Sequence, residues 1–297
     1  MAQFQRFAQP LGSRTAIASV FAVLGVGAYC ARSSLLPTTY AESNEPRKMF
    51  SGVGFTSLRV HSVKMVNHDT KRLVFEFPDP EAVSGLSLTS SLLTFSRPQG
   101  SWLPAVRPYT PISDLAQPGF VELMVKQYPN GKSSTHLHLL APGDSLTFIT
   151  ALKGFPWKAN QFSQVYLIAG GAGITPIYQL VRGILDNPND KTKINLVFGV
   201  NTEQDLLLRE EFDEYKRRFP DRFNYIYTIS HSAENSLVRK GRVTEELLRE
   251  VVKDASDKET KVFVCGPPAM EQSLVGSRAS PGILTNLGFA KEQIYQF

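Results

Sequence analysis

Val165-Tyr166-Leu167-Ile168-Ala169 runs directly into Gly170-Gly171-Ala172-Gly173-Ile174-Thr175-Pro176, and the reading of this stretch decides the fold. The apolar run predicts a buried strand, and the glycines end it in a tight loop. After the loop, Ile177, Leu180, Val181, Ile184 and Leu185 recur at helical spacing. Ile194–Val200 predicts the next strand. Leu208, Phe212, Tyr215 and Phe219 then mark the apolar stripe of a second helix, which Pro220 stops. Phe223–Ile229 predicts a third strand, Thr244 an N-cap with Glu245 and Glu246 in the first turn, and Lys261–Cys265 closes the series. Such alternation implies a doubly wound parallel sheet with helices on both faces, an α/β domain over residues 156–297.

Upstream of Lys153–Gln161 (KGFPWKANQ), whose Pro and Gly mark a junction, the rhythm is all β. Ser57–Val66, Arg72–Phe77, Phe120–Tyr128 and Ser145–Thr150 are short runs separated by Pro, Gly, Asn and Asp. Val121, Leu123 and Val125 alternate with Glu122, Met124 and Lys126, which suits a sheet with one buried face. Many short strands without helices between them predict a closed antiparallel β-barrel over residues 51–155; a β-sandwich has the same periodicity.

The chain has 297 residues and a net charge of +5. Met1–Ala41 holds Arg6, Arg14 and Arg32 and no acidic residue; without those three, 29 basic residues face 27 acidic. A body this nearly balanced gives no argument for nucleic acid. Cys30 and Cys265 are the only cysteines, too few for a disulfide framework or an iron–sulfur or zinc ligand set. Residues 1–50 read as leader, apolar segment (about 15–31) and tether. Three readings compete for Ala16–Ala31 (AIASVFAVLGVGAYCA): a membrane anchor slightly short of a comfortable span, a cleaved targeting sequence, or a buried core helix. The anchor is the reading adopted.

Gly171-x-Gly173-x-x-Pro176 departs from the dinucleotide fingerprint G-x-G-x-x-G by its Pro, which suits the first turn of a helix. Two glycines let a backbone approach a ligand at the carboxyl end of the first parallel strand. Arg107-Pro108-Tyr109-Thr110-Pro111-Ile112-Ser113 places an Arg, able to hold a pyrophosphate with its planar fork, two residues from a Tyr on the same strand face. Alone, it also fits a surface ion pair and a core Tyr. Gly131-Lys132-Ser133-Ser134 offers backbone N–H groups at a helix start, one Lys and a hydroxyl, a sensible anion site. Cys265-Gly266-Pro267-Pro268-Ala269-Met270 ends the last strand, and no neighbouring base would make Cys265 a nucleophile. His136 and His138 have H-x-H spacing but no further ligands nearby, so no metal is assigned.

In this order, the Arg107, Gly170 and Cys265 segments resemble the flavin clamp and two pyridine-nucleotide loops of ferredoxin-reductase-like flavoproteins. From Ser51 to Phe297 the chain is most similar to the NADH–cytochrome b5 reductase family, and its N-terminus to the fungal mitochondrial form. The resemblance implies FAD held by Arg107, Pro108, Tyr109, Thr110, Val125, Lys126, Tyr128, Gly131, Lys132, Ser133, Ser134 and Thr175. It implies NADH held by Gly170, Gly171, Gly173, Thr175, Pro176, Cys265, Gly266, Pro267 and Met270. Thr110, Thr175 and Cys265 would position the reacting rings. Ser133 stands where the family usually has Met. The implied reaction is electron transfer by an oxidoreductase, hydride from NADH to FAD and single electrons on to a b5-type cytochrome haem. The implied location is the mitochondrial outer membrane through one transmembrane anchor, alongside a cleaved intermembrane-space form.

Aligning Gly241-Arg242-Val243 with a family segment puts Leu237 where relatives carry an acidic residue against NADPH, followed by Arg239 and Lys240. Either Arg239 accepts a 2′-phosphate, or these are solvated loop charges and Glu234 is the acidic equivalent. The expectation is NADH preferred, with weakened discrimination. Rival functions are a reductase for a quinone or small oxidant, a flavin-free nicotinamide dehydrogenase, and a non-catalytic membrane-tethered adaptor.

Overall fold

The computed structural model describes residues 45–98, 102–231, 236, 238–277 and 280–297. Ala16–Ala31, Glu234 and Leu237 lie outside the described residues. Among the described residues no helix is long and apolar enough to cross a membrane.

Six antiparallel strands come first: β1 (Thr56–Met65), β2 (Thr70–Glu76), β3 (Ser91–Ser96), β4 (Ala105–Tyr109), β5 (Phe120–Lys126) and β6 (Ser145–Leu152). They pair in the order β4-β3-β6-β1-β2-β5. Alternation in β2 and β5 buries Leu73, Phe75, Val121, Leu123 and Val125 completely or nearly so, against Leu58, Leu137 and Phe148. The predicted barrel is not closed by a ladder. Among the described residues β4 and β5 form the two ends of the sheet, and helix α1 (Lys132–Leu139) packs on both. The sheet therefore curls, and a helix bridges its gap.

Met124 corrects the one-buried-face reading of β5. It is only 5% exposed and belongs to the core of the following α/β region, as does Ile112. The outer face of β5 is therefore an internal boundary rather than a wet surface.

The parallel sheet has the order β10-β9-β8-β7-β11-β12. Its strands are β7 (Gln164–Gly170), β8 (Lys193–Val200), β9 (Phe223–Ile229), β10 (Arg239–Lys240), β11 (Thr260–Cys265) and β12 (Ile294–Gln296). Helices α2 (Ile174–Leu185) and α3 (Arg209–Arg218) cover one face, and α4 (Glu245–Val251), α5 (Pro268–Val275) and α6 (Ile283–Asn286) the other. As predicted, Thr244 caps α4, its hydroxyl accepting from the Leu247 N–H at 3.3 Å. Lys261–Cys265 does not close the series: three residues, too few to show periodicity, add β12 beyond β11. The series starts at β7, grows outward through β8 and β9, then reverses to β11 on the other side. The β7/β11 boundary is the point where strand order switches, and in open α/β sheets ligands bind at the carboxyl ends of the strands at such a point.

Candidate functional site

The two glycine loops meet at that switch point. Ala169 of β7 pairs with Cys265 of β11, so Gly170–Gly173 and Gly266–Pro267 emerge side by side. They touch backbone to backbone. A Cβ on Gly173 would lie 2.3 Å from the Cys265 carbonyl oxygen, and one on Gly170 would lie 2.7 Å from Met270 Sδ. Gly171 differs: its φ is +52°, left-handed, and a Cβ there would meet nothing within 4 Å. Its backbone thus faces open space, as a loop that receives a ligand should. Pro267 and Pro268 start α5, and Glu271 accepts from the Gly266 N–H (2.9 Å) and from Gln296 Nε2 (2.7 Å), fixing the second loop.

Burial, with Glu271 adding to it, pushes the Cys265 thiol up to about 12. It stays protonated at neutral pH, which removes it as a nucleophile and leaves it a small packing group. Its ordinary value is near 9, so ionisation above that pH opposes the folded state, and the stability is lost as pH rises toward 12. In the native chain Cys265 is expected to resist iodoacetamide at pH 8 and to react once guanidinium unfolds the protein. Rapid labelling of native protein would contradict that environment.

In the antiparallel region α1 packs against β4. Arg107 is exposed on β4; its Nη1 donates to the Val106 carbonyl at 2.8 Å, and no carboxylate among the described residues pairs with it. Tyr109, half-buried two residues on, donates to Ser133 Oγ (3.2 Å), which also meets Ser96 Oγ (3.0 Å). Burial raises its phenol. No side chain caps α1 at Gly131, so its first N–H groups remain available, with exposed Lys132 beside them. This donor set, a guanidinium without a carboxylate partner among the described residues, an uncapped helix start and a lysine, fits a diphosphate.

Both serine hydroxyls have partners within the protein. Ser133 is 4% exposed and turned toward Tyr109 and Ser96, while Ser134 accepts from the Tyr128 N–H and donates to the Gly131 carbonyl. Val125 is 1% exposed inside the first core, leaving only its backbone for a ligand. Lys126 is occupied too, bonded to Asp69 Oδ2 (2.6 Å) and Asp205 Oδ1 (2.8 Å). His68, Asp69 and Asp205 present the spacing of a cation site, but the Lys126 ammonium already holds both carboxylates. His138 is spent as well, its Nε2 lying 2.8 Å from the Val125 carbonyl oxygen.

Helix α2 joins the two regions. Gln179 donates to the Pro111 carbonyl and Arg182 to that of Ile112, each at 3.1 Å. The helix therefore lies along the segment directly after Thr110 and Pro108, with Thr175 and Pro176 in its first turn. Thr175 is 8% exposed and its hydroxyl donates to the Ala172 carbonyl at 3.3 Å. Tyr128, two residues beyond β5, is 47% exposed.

Periodicity missed Asp69, Asp205 and Glu271. Thr202-x-x-Asp205 is a capping box, a readable local signal, but its reach to Lys126 is tertiary. A cavity of about 600 Å³ lies apart from the glycine loops, beside β9, and is lined by Glu203, Arg209, Asp213, Tyr225, Tyr227 and Arg239.

Residues 57–155 match the oxidoreductase FAD-binding domain family and residues 167–275 the oxidoreductase NAD-binding domain family. The fold is similar to the cytochrome b5 reductase domain of Ulva prolifera nitrate reductase (TM-score 0.73, 24% identity, 85% of this chain and 100% of that one). It is also similar to the CS-b5R domains of human Ncb5or (TM-score 0.71, 23% identity, 83% and 70%). A curled antiparallel sheet with an anion groove, joined to a parallel sheet with its loops at the switch point, defines a two-module FAD- and NAD-binding oxidoreductase of the ferredoxin-reductase type. "NADH-cytochrome b5 reductase 2" of Emericella nidulans is 45% identical over 95% of this chain and 89% of its own length. That of Botryotinia fuckeliana is 45% identical over 82% and 72%. The chain belongs to the NADH–cytochrome b5 reductase family.

Proposed function

We propose that this chain passes hydride from NADH to a bound FAD, and then single electrons to a b5-type cytochrome. Residues 51–155 would hold FAD and residues 156–297 NADH. The observation that carries this reading is the meeting of the Gly170–Gly173 and Gly266–Pro267 loops at the strand-order switch, tied by α2 to the segment after β4.

Arg107, Lys132 and the α1 N–H groups would hold the FAD diphosphate, with Tyr109, Thr110 and Thr175 placing the ring. Gly170, Gly171, Gly173, Gly266 and Pro267 would let the protein backbone approach NADH closely; Pro176 and Met270 support that loop pair. Bound flavin supplies the step from two-electron donor to one-electron acceptor. No side chain need move a proton on the donor side; the chain's task is close stacking and exclusion of water. Anaerobic titration of purified protein with NADH, against haem and quinone acceptors, tests the reading. A protein without flavin absorbance, or one that reduces quinone but no b5-type haem, would overturn it.

NADH is proposed as the preferred donor. The Arg239 guanidinium is taken up on both nitrogens by Glu250, one contact at 2.7 Å, and so does not stand free for a 2′-phosphate. Arg239→Ala is expected to change the NADH/NADPH ratio of kcat/KM by less than about threefold, the scale of an exposed ion pair. A larger drop in NADPH use alone would show that Arg239 leaves Glu250 for the phosphate.

The proposed location is the mitochondrial outer membrane, with Ala16–Ala31 as anchor and a processed form in the intermembrane space. The body's near-balanced charge gives it no strong pull of its own on anionic lipid. Carbonate extraction should leave the full-length chain in the pellet and release a chain beginning at Ser51; a pelleted truncation would defeat the anchor.

A further inference from the structure

Gln179 of α2 is 2% exposed, and only half of its amide is used. Its Nε2 donates to the Pro111 carbonyl at 3.1 Å, while its Oε1 is buried with no hydrogen-bond partner among the described residues. The boundary around it is apolar: Ile112 and Met124 join Ile177, Tyr178 and Leu180 in one core. An unmet buried acceptor costs at least as much as one neutral hydrogen bond returns. A methionine of nearly the same shape would give up the bond and the orphan together. Stability alone therefore does not account for an amide here; placement does. Thr175, Gln179 and Arg182 are spaced four and three residues apart, so they share one face of α2. That face holds two consecutive carbonyls, Pro111 from Gln179 and Ile112 from Arg182. Leu88 closes its lower end: a Cβ on Gly183 would lie 2.4 Å from Leu88 Cδ1. From the other side, the Ile112 N–H donates to the Glu122 carbonyl (2.9 Å) and Ser113 Oγ accepts from the Glu122 N–H (3.0 Å), so β5 fixes the same segment.

We propose that Gln179 is a positioning residue for hydride transfer: its bond to Pro111 sets the spacing between Thr110 and Thr175, one from each module. The proposal rests on the reading of the chain as an NADH-reduced flavoprotein in which those threonines place the flavin ring. Gln179 need touch neither ring. It stands one helical turn from Thr175, and the carbonyl it holds belongs to the residue after Thr110. Without the bond α2 loses its hold next to Thr110, and the glycine loop that leads into α2 shifts with the helix. Stacking of nicotinamide on flavin tolerates little displacement, and a shift of an ångström costs on the order of a hundredfold in rate. Asp114, its side chain 51% exposed, pairs with Arg182 at 3.4 Å on the rim of the same face. It should carry none of this effect.

The test uses the full FAD-loaded chain and separates the two half-reactions by anaerobic stopped flow. In Gln179→Met, the limiting rate of flavin reduction at saturating NADH should fall at least about tenfold. The NADH concentration giving half that rate should change less than about threefold. FAD content should not change, and Tm should stay within about 4 °C of wild type. Electron transfer from the dithionite-reduced variant to a b5-type cytochrome should stay within about twofold of wild type. Asp114→Asn should behave as wild type. An unchanged limiting rate in Gln179→Met would overturn the proposal. Slowing that comes with lost FAD or a larger fall in Tm, or that is equal in both half-reactions, would overturn it too. If Gln179→Met does not fold, Gln179→Asn withdraws the amide by one methylene and keeps its polarity. That variant should hold FAD and be slow only in reduction by NADH; a normal rate in it would refute the proposal. Wild type that NADH cannot reduce would instead defeat the functional reading.

Discussion

Gly173→Ala is expected to lower kcat/KM for NADH by a hundredfold or more, on the order set by loss of ring alignment, while FAD stays bound. Gly173 has φ −62°, which any residue adopts, so backbone freedom is not the reason for glycine. The reason is contact. A Cβ would stand 2.3 Å from the Cys265 carbonyl oxygen, 2.5 Å from its carbon and 2.8 Å from the Gly266 nitrogen, all main-chain atoms that no rotamer change can move. Relief requires the two loops to part, and overpacking of this kind costs about 1–3 kcal/mol or more. The proposed FAD contacts lie on β4 and α1, so flavin content should be preserved. Stopped-flow bleaching of the flavin by NADH checks this; a wild-type rate would mean that the loop contact is not part of the NADH site.

Arg107→Ala is expected to weaken FAD binding by roughly tenfold to a hundredfold, the loss of one charge-assisted contact worth about 1.5–3 kcal/mol. Arg107 has no carboxylate partner among the described residues, and its one bond is to the carbonyl of its own neighbour. Removal therefore leaves no buried charge behind and should not unfold the sheet. Lysine should rescue poorly, since it lacks the bidentate fork. Equilibrium titration of deflavinated protein with FAD measures the effect, and unchanged affinity would remove Arg107 from the site.

What could be read from the sequence divides along a physical line. Val165–Ala169 is buried throughout and Ile194–Val200 and Phe223–Ile229 mostly so, and their apolar runs mark the parallel strands within a residue of β7, β8 and β9. Met124 was misread because the partner that covers it lies far away in sequence. The resemblance assigns Lys126 and Ser133 to FAD by their place in a motif; the structure adds that Lys126 binds Asp69 and Asp205 and that the Ser133 hydroxyl meets Tyr109 and Ser96. Local spacing reports which residues share a strand or a turn. It does not report a counter-charge delivered by a turn distant in sequence.

The most direct measurement mixes the purified, flavin-loaded chain anaerobically with limiting NADH and excess b5-type cytochrome, following flavin and haem absorbance together. Each NADH should bleach the flavin and then reduce two haems, because one hydride carries two electrons and each haem accepts one. A chain that bleaches with NADH but leaves the haem oxidised, or never bleaches at all, would contradict the proposed path of electrons.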